Sequence, residues 1–357
     1  MSNLAPIYQD FLISSYGKIE VTKFSKILGK GFSHDRFTKQ LLLDDTLDDE
    51  SKLWQHIKPF LRDYENEDNG CIIVDDSLLH KPHSKVNDVI CWHFDHVSGK
   101  SVKGTMMLNF QYTDDSGISI PLGYEIITKT EDVWNEEYQK NVKKSKFTKN
   151  EIMQDKLQIL HFNNHVKYKY ILMDKWFTTS GNIDFIDNIL EKKFISPVKK
   201  NRKVALCLED KKKGKYVNID SLDIGAGSSR LIYLKGCNIP LNIGKQIVKN
   251  GNDDEPVYLY LITNDTNISF SQTLEIYQKR WKIEEYHKSL KQNLKIEHSP
   301  TKVEISQRNH INLTVLAFIK LEKLRLNYKM NHFAIKEKIY IEALKVAYEK
   351  VGELMSA

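Results

Sequence analysis

The chain is expected to be an α/β protein: a mixed sheet flanked by helices, with a β-rich insertion ahead of its last long helices and a helical segment in front. Three observations predict this. The apolar patterns run in the order three strands, helix, strand, helix, strand, β-rich stretch, then helices, and a mixed sheet covered by helices is the natural packing of that order. The chain has 357 residues, 41% of them apolar, enough for a sizeable core. It contains no run of about 18 apolar residues, so no membrane-spanning helix is expected.

Residues 1–66 read as helical. An amphipathic stretch at Val21–Leu28 is broken by Gly29-Lys30-Gly31; Ser33 is placed to cap a second stretch, His34–Leu43. Helix, glycine turn and capped helix is the outline of a helix-turn-helix, a possible DNA-binding element. Nine basic and ten acidic residues in this segment argue against a strongly basic head. Residues 44–50 read as an acidic loop and 52–64 as a further helix. Polar, turn-rich 65–70 marks a boundary.

Strands are expected at 71–75, 88–96, 102–112 and 118–127, with turns at 98–100 and 114–117. A basic helix follows at about 146–165, then an apolar strand at 170–173, a helix near 181–190 and a strand at 194–198. Residues 200–263 look like short strands (204–208, 215–219, 230–234, 257–262) between glycine-rich turns. Long helices are expected at 271–294, 307–327 and 333–351. The resulting division is a helical segment 1–66, a core 67–330 interrupted by the insertion 200–263, and a C-terminal helix 331–357.

The formal net charge is only +6, but it is unevenly spread. Residues 192–215 hold ten basic and two acidic side chains, a net of +8 that exceeds the whole-chain excess. Lys199, Lys200, Arg202 and Lys203 lie in this run. Such a field suits a polyanion, and together with 140–149 it is a candidate for nonspecific, salt-dependent phosphate contacts. A solvated lysine-rich loop has the same composition. The four cysteines are scattered, without C-x-x-C spacing, as expected of free thiols in the cytoplasm. The start has no charged stretch followed by an apolar one, so it does not resemble a secretory signal.

The most informative segment is Tyr277-Gln-Lys-Arg280-Trp-Lys-Ile-Glu284-Glu-Tyr-His-Lys288-Ser-Leu-Lys291. At about 100° per residue, Tyr277, Arg280, Glu284 and Lys291 share an arc of about 60°. An apolar stripe of Ile276, Ile283, Leu290 and Leu294 lies beside it. A surface helix with an i,i+4 Arg280–Glu284 pair would have the same pattern. However, two apolar strands elsewhere each end in an aspartate, Asp75 and Asp174. Carboxylates at neighbouring strand ends, joined by a third from a helix packed on the sheet, make a hard-oxygen site for Mg²⁺ or Mn²⁺. Two such ions about 3.5–4 Å apart clamp the attacking and leaving oxygens of a phosphodiester.

These residues resemble the bacterial insertion-sequence transposases of the DDE class, in the group whose third motif is Tyr-x2-Arg-x3-Glu-x6-Lys. Tyr277, Arg280, Glu284 and Lys291 match every position of that motif. Asp75-Asp76-Ser77 resembles the first motif, and Asp174-Lys175-Trp176-Phe177 the second, with Trp176 where the family has glycine. Asp76 competes with Asp75 for the first position; Ser77, two residues on, favours Asp75, because neighbours on a strand face opposite sides. The resemblance covers roughly residues 67–330, and the interval between Asp174 and Glu284 suits a group with a β-rich insertion there.

The resemblance implies a ribonuclease-H-like fold and metal-dependent cleavage and strand transfer on double-stranded DNA. It implies Asp75, Asp174 and Glu284 as catalytic and metal-binding residues for two Mg²⁺ or Mn²⁺ ions. Tyr277, Arg280 and Lys291, with neighbouring Lys288, would hold phosphates at the element's end, and a homodimer on DNA is expected. A stand-alone nuclease on the same core, or a catalytically dead DNA-binding descendant, are the other readings; three intact carboxylates speak against the last. Some relatives stack a flipped base on a Trp in the insertion, but none lies between Trp176 and Trp281 here. Tyr216, Tyr233, Tyr258 or Tyr260 could stack instead, or serve as strand tyrosines in a core. The cluster His80, His83, Cys91, His93 and His96 invites a zinc reading, but residues three apart on a strand face opposite ways.

Overall fold

The computed structural model describes residues 4–17, 19–29, 33–43, 50–95, 98–137, 139–248, 257–299 and 302–356. Four helices come first: α1 (Ala5–Ser14), α2 (Val21–Leu28), α3 (His34–Leu43) and α4 (Glu50–Arg62). The N–H of Arg36 donates to Ser33 Oγ at 3.2 Å, the capping bond the sequence predicts. The first helix, α1, falls within the segment expected to be helical, although residue patterns set it no separate bounds. The acidic stretch 44–49 and the turn residues 30–32 lie outside the described residues.

The strands follow as β1 (Cys71–His80), β2 (Cys91–Asp95), β3 (Lys100–Thr113) and β4 (Ile120–Ile126). A separate hairpin pairs β5 (Glu131–Asn135) with β6 (Lys140–Lys144). Next come α5 (Lys149–Gln158), which ends in a π-turn at Ile159–Asn163, then β7 (Tyr170–Met173), α6 (Ser180–Asn188) and β8 (Lys193–Pro197). The β-rich stretch holds β9 (Lys203–Ala205), α7 (Leu208–Lys212), β10 (Val217–Asn218), β11 (Ser229–Leu234), β12 (Leu241–Val248) and β13 (Val257–Thr263). The chain closes with α8 (Phe270–Gln278), α9 (Trp281–Lys288), α10 (Glu304–Tyr328) and α11 (His332–Ser356).

One mixed sheet forms the centre, ordered β10-β9-β11-β12-β13-β8-β7-β1-β3, with β2 and β4 both paired to β3. β1 is antiparallel to β3 and parallel to β7, and β7 is parallel to β8. The residues of these central strands explain their place. Cys71–Val74 and all of β7 are buried, the continuous apolar run of strands covered on both faces. The β-rich stretch extends this sheet through the antiparallel pairing of β13 with β8. Helices pack against the sheet: α9 against β1, α4 and α10 against β4, and α6 and α8 against β8. The N-terminal helices share the core of the sheet, with α1 lying along α10 and Tyr8 Oη 2.9 Å from His310 Nδ1.

Three local expectations need correction. The helix expected over 271–294 is broken. Around Lys279 and Arg280 the bonding tightens to i→i+3, from Lys282 N–H to Lys279 O and Ile283 N–H to Arg280 O. After Lys288 it loosens to a π-turn, Ser289–Asn293, where Leu294 N–H reaches Ser289 O. A constant 100° step therefore misplaces Lys291. Strands β5, β6 and β12 were also missed; Gly244, Lys245 and Gln246 interrupt the apolar run of β12, and β5–β6 is a small charged ribbon. Finally, the helix expected from 146 begins at Lys149, where Thr148 and Glu151 form a capping box.

Candidate active site

The parallel register of β1 and β7 builds one end of the site. Val74 pairs with Met173, so the next residues, Asp75 and Asp174, emerge side by side. Asp75 stays on β1, opposite Asn109 of β3, while Asp174 begins a loop. That loop is held by one bond of its own backbone and by the side chains of Ser196, Thr178 and Arg202. Asp174 O accepts from Phe177 N–H at 3.0 Å and from Ser196 Oγ at 3.4 Å. Thr178 Oγ1 donates to Pro197 O at 2.8 Å, and Arg202 Nη1 donates to Thr178 O at 3.1 Å. Phe177 is buried where the second motif has its aromatic position, and Trp176 is 45% exposed, its ring beneath the Lys149 ammonium.

The α8–α9 junction supplies the other side. Arg280 Nη1 donates to Asp75 Oδ2 at 2.9 Å, and its Nη2 to Glu284 Oε1 at 3.3 Å. One guanidinium thus bridges the helix glutamate and an aspartate that lies midway along β1, not at a strand end as expected, because pairing with β3 carries the strand on to His80. A ring nitrogen of His287 joins them, since ligand atoms of Asp75, Glu284 and His287 all lie within 4.8 Å of one another. Sequence reasoning passed over His287, although Glu284-x-x-His287 is the i,i+3 spacing that puts two side chains on one helix face.

The electrostatics follow from burial. Desolvation pushes the Asp75 carboxyl up to about 7; Arg280 pulls it down, while Glu284, Asp76 and Asp174 push it further up. Burial also keeps the His287 imidazole neutral, down to about 3, with Lys291 and Arg280 acting in the same direction. Asp76 faces away from this group and pairs with Lys149 at 2.5 Å.

The remaining expected residues divide. Tyr277 is partly buried beside the Arg280 guanidinium, 6.0 Å from ring centre to Cζ. Lys291 donates to Leu78 O at 2.9 Å and lies 3.8 Å from Glu297, further along β1 than the carboxylates. Exposed Lys288 sits over the Phe333 ring. Lys199, Lys200 and Lys203 are exposed, but Arg202 is tied to the Asp174 loop. Tyr260 is buried, while Tyr258 is 41% exposed with the Lys245 ammonium 3.9 Å from its ring centre. Of the histidine and cysteine cluster, His93 and Cys91 are buried on β2, His80 N–H donates to Glu297, and His96 lies outside the described residues. Among the described residues no metal-ligating group forms there.

Beside Glu284 opens a cleft of about 960 Å³, rimmed by Trp281, Lys282, Lys288, Lys329 and Phe333. In its wall, Glu322 is 1% exposed and accepts from Arg325 and from Ser119 N–H, each at 2.8 Å; His332 Nε2 is 2.9 Å from it.

Residues 135–319 match the family model described as transposase DDE domain, a span that takes in Asp174 and Glu284 and begins after Asp75. No curated protein matches the chain. Among solved structures, endonuclease V from Bacillus subtilis is 10% identical, with 76% of this chain and 90% of that chain covered and a TM-score of 0.27. A likeness that weak carries no argument about fold or activity.

Proposed function

We propose, on the premise that this chain belongs to the transposase DDE-domain family, that it cleaves DNA at the ends of an insertion sequence and joins the freed ends to target DNA. The observation that carries this reading is the meeting of Asp75 and Glu284 where the parallel pairing of β1 with β7 ends, with Asp174 following β7 there. Asp75, Asp174 and Glu284 are the proposed catalytic carboxylates. The order β4-β3-β1-β7-β8, antiparallel on one side of β1 and parallel on the other, supports a ribonuclease-H-like core. The proposed division keeps that core within 67–330, interrupted by 200–263, with 1–66 and 331–357 as helical flanks. The motif from Tyr277 to Lys291 supports placement in the Tyr-x2-Arg-x3-Glu-x6-Lys group.

The donor set fits divalent ions. Two carboxylates already share one cationic partner, the Arg280 guanidinium, so their oxygens converge on a position suited to positive charge. Asp75, Asp174 and Glu284 would hold two Mg²⁺ or Mn²⁺ ions, which would supply Lewis-acid stabilisation of the phosphodiester and an acidified water. The chain's own groups do the rest. Arg280, released from the carboxylates, can grip a phosphate with both nitrogens, and Tyr277 packs against it to fix its approach. Lys288 and the other lysines of the cleft rim offer backbone contacts for double-stranded DNA. Lys199, Lys200 and Lys203 offer further contacts, and Arg202 keeps the Asp174 loop in place.

No described helix is long and apolar enough to cross a membrane. The reading places the protein on DNA in the cytoplasm, as a homodimer that brings two element ends together. The test incubates the protein with labelled terminal-repeat DNA and Mg²⁺ or Mn²⁺. Wild type should nick the end and join it to target; Glu284→Ala should do neither. Equal nicking and joining by both would overturn the site, and nicking without joining would favour a stand-alone nuclease.

A further inference from the structure

We propose that His287 is a nitrogen ligand of the ion held between Asp75 and Glu284, making that position a mixed nitrogen–oxygen site tuned to Mn²⁺ rather than Mg²⁺. The inference rests on the proposed carboxylate site and extends it by a residue that the three-acid reading does not use.

The geometry comes first. A His287 ring nitrogen lies within 4.8 Å of ligand oxygens of both Asp75 and Glu284, a separation one bridging ion can span. His287 is 9% exposed, and its Nε2 is buried without a hydrogen-bond partner. A buried, unpartnered polar atom costs stability, on the order of 1–3 kcal/mol, unless something satisfies it. Of the other buried polar side chains of this segment, Ser289 and Asn293 are hydrogen-bonded and the Tyr286 hydroxyl is not, but only His287 lies within reach of the two carboxylates.

The chemistry then selects the ion. A neutral imidazole can offer a lone pair to a first-row divalent ion; Mg²⁺ takes oxygen almost exclusively and keeps several waters. A histidine added to two carboxylates therefore raises affinity for Mn²⁺ and does little for Mg²⁺. Arg280 competes for the same oxygens, because it is bonded to Asp75 and Glu284 but not to His287. The imidazole is thus the one donor of the three that the guanidinium leaves unused, which favours a transition ion over the arginine.

The experiment uses the full chain with MnCl₂ alone, followed by electron spin-echo envelope modulation. Wild type should show the ¹⁴N modulation of a directly bound imidazole, and ¹⁵N-histidine labelling should change that pattern. His287→Asn should abolish it, weaken Mn²⁺ binding on the order of tenfold and change Mg²⁺ binding, read by competition, about twofold at most. If Mn²⁺ binds in a manner sensitive to Glu284→Gln yet without nitrogen modulation, His287 is not a ligand, while the carboxylate site stands. If Mn²⁺ binding ignores both Asp75→Asn and Glu284→Gln, the carboxylate site falls and this inference with it. Should His287→Asn fail to fold, the labelled wild type still decides: modulation unaffected by the label overturns the assignment.

Discussion

Replacing Asp75 by asparagine should stabilise the metal-free protein while destroying its ability to hold an ion. The magnitude follows from the carboxyl's surroundings. Its side chain is 16% exposed, and burial raises it from the ordinary 3.8 to about 7. A shift of about three units is worth roughly 4 kcal/mol, at 1.36 kcal/mol per unit. The folded value lies above the unfolded one, so the folded protein keeps a proton that the unfolded chain has lost between about pH 4 and pH 7. The associated stability is fully present below about pH 4 and is lost as pH rises through about 7. Asparagine mimics the protonated carboxyl at every pH. In urea unfolding with EDTA, Asp75→Asn should match wild type near pH 4 and exceed it by up to about 4 kcal/mol at pH 8. With Mn²⁺ added at pH 8, the wild type alone should gain stability. A difference independent of pH, or a wild type more stable at pH 8 in EDTA, would refute the reasoning; the latter would mean that the Arg280 ion pair outweighs desolvation.

Other expectations are read from the same structure. Glu322→Ala should cost about 3–5 kcal/mol in denaturant unfolding, because it strands Arg325, His332 and the Ser119 N–H around a buried hole; a loss under about 1 kcal/mol would contradict this. Gly244→Ala on β12 would drive a Cβ into the Phe270 ring, a cost of about 1–3 kcal/mol that Phe270→Leu should partly relieve in a double-mutant cycle. Arg202→Ala should slow end cleavage about tenfold or more through the loosened Asp174 loop, with DNA affinity by fluorescence anisotropy little changed. A fall in affinity with unchanged cleavage at saturating DNA would instead make Arg202 a phosphate contact.

Much of the central architecture could be read from residue patterns, because buried strands leave a strong local signal. Tyr170–Met173 is bounded as expected, since an unbroken apolar run must sit between covered faces. Val21–Leu28 and His34–Leu43 were equally legible from a glycine stop and a serine cap. The charged ribbon β5–β6 was not, because it buries little and so carries no hydrophobic period. The helix near 284 was legible as helical but not in its geometry, since tightening before Ile283 and widening after Lys288 leave no mark in apolar spacing.

The sequence by itself determined which chemical groups were available: aspartates ending two apolar runs, the Tyr277 to Lys291 motif, and a basic excess concentrated at 192–215. Only the tertiary structure decided how they meet. The parallel register of β1 and β7 aligns Asp75 with Asp174, the α8–α9 bend carries Arg280 between Asp75 and Glu284, and burial leaves His287 beside them without a partner at Nε2. Composition and local periodicity are properties of single segments. Register, desolvation and the choice of partner arise only when segments far apart in the chain pack together.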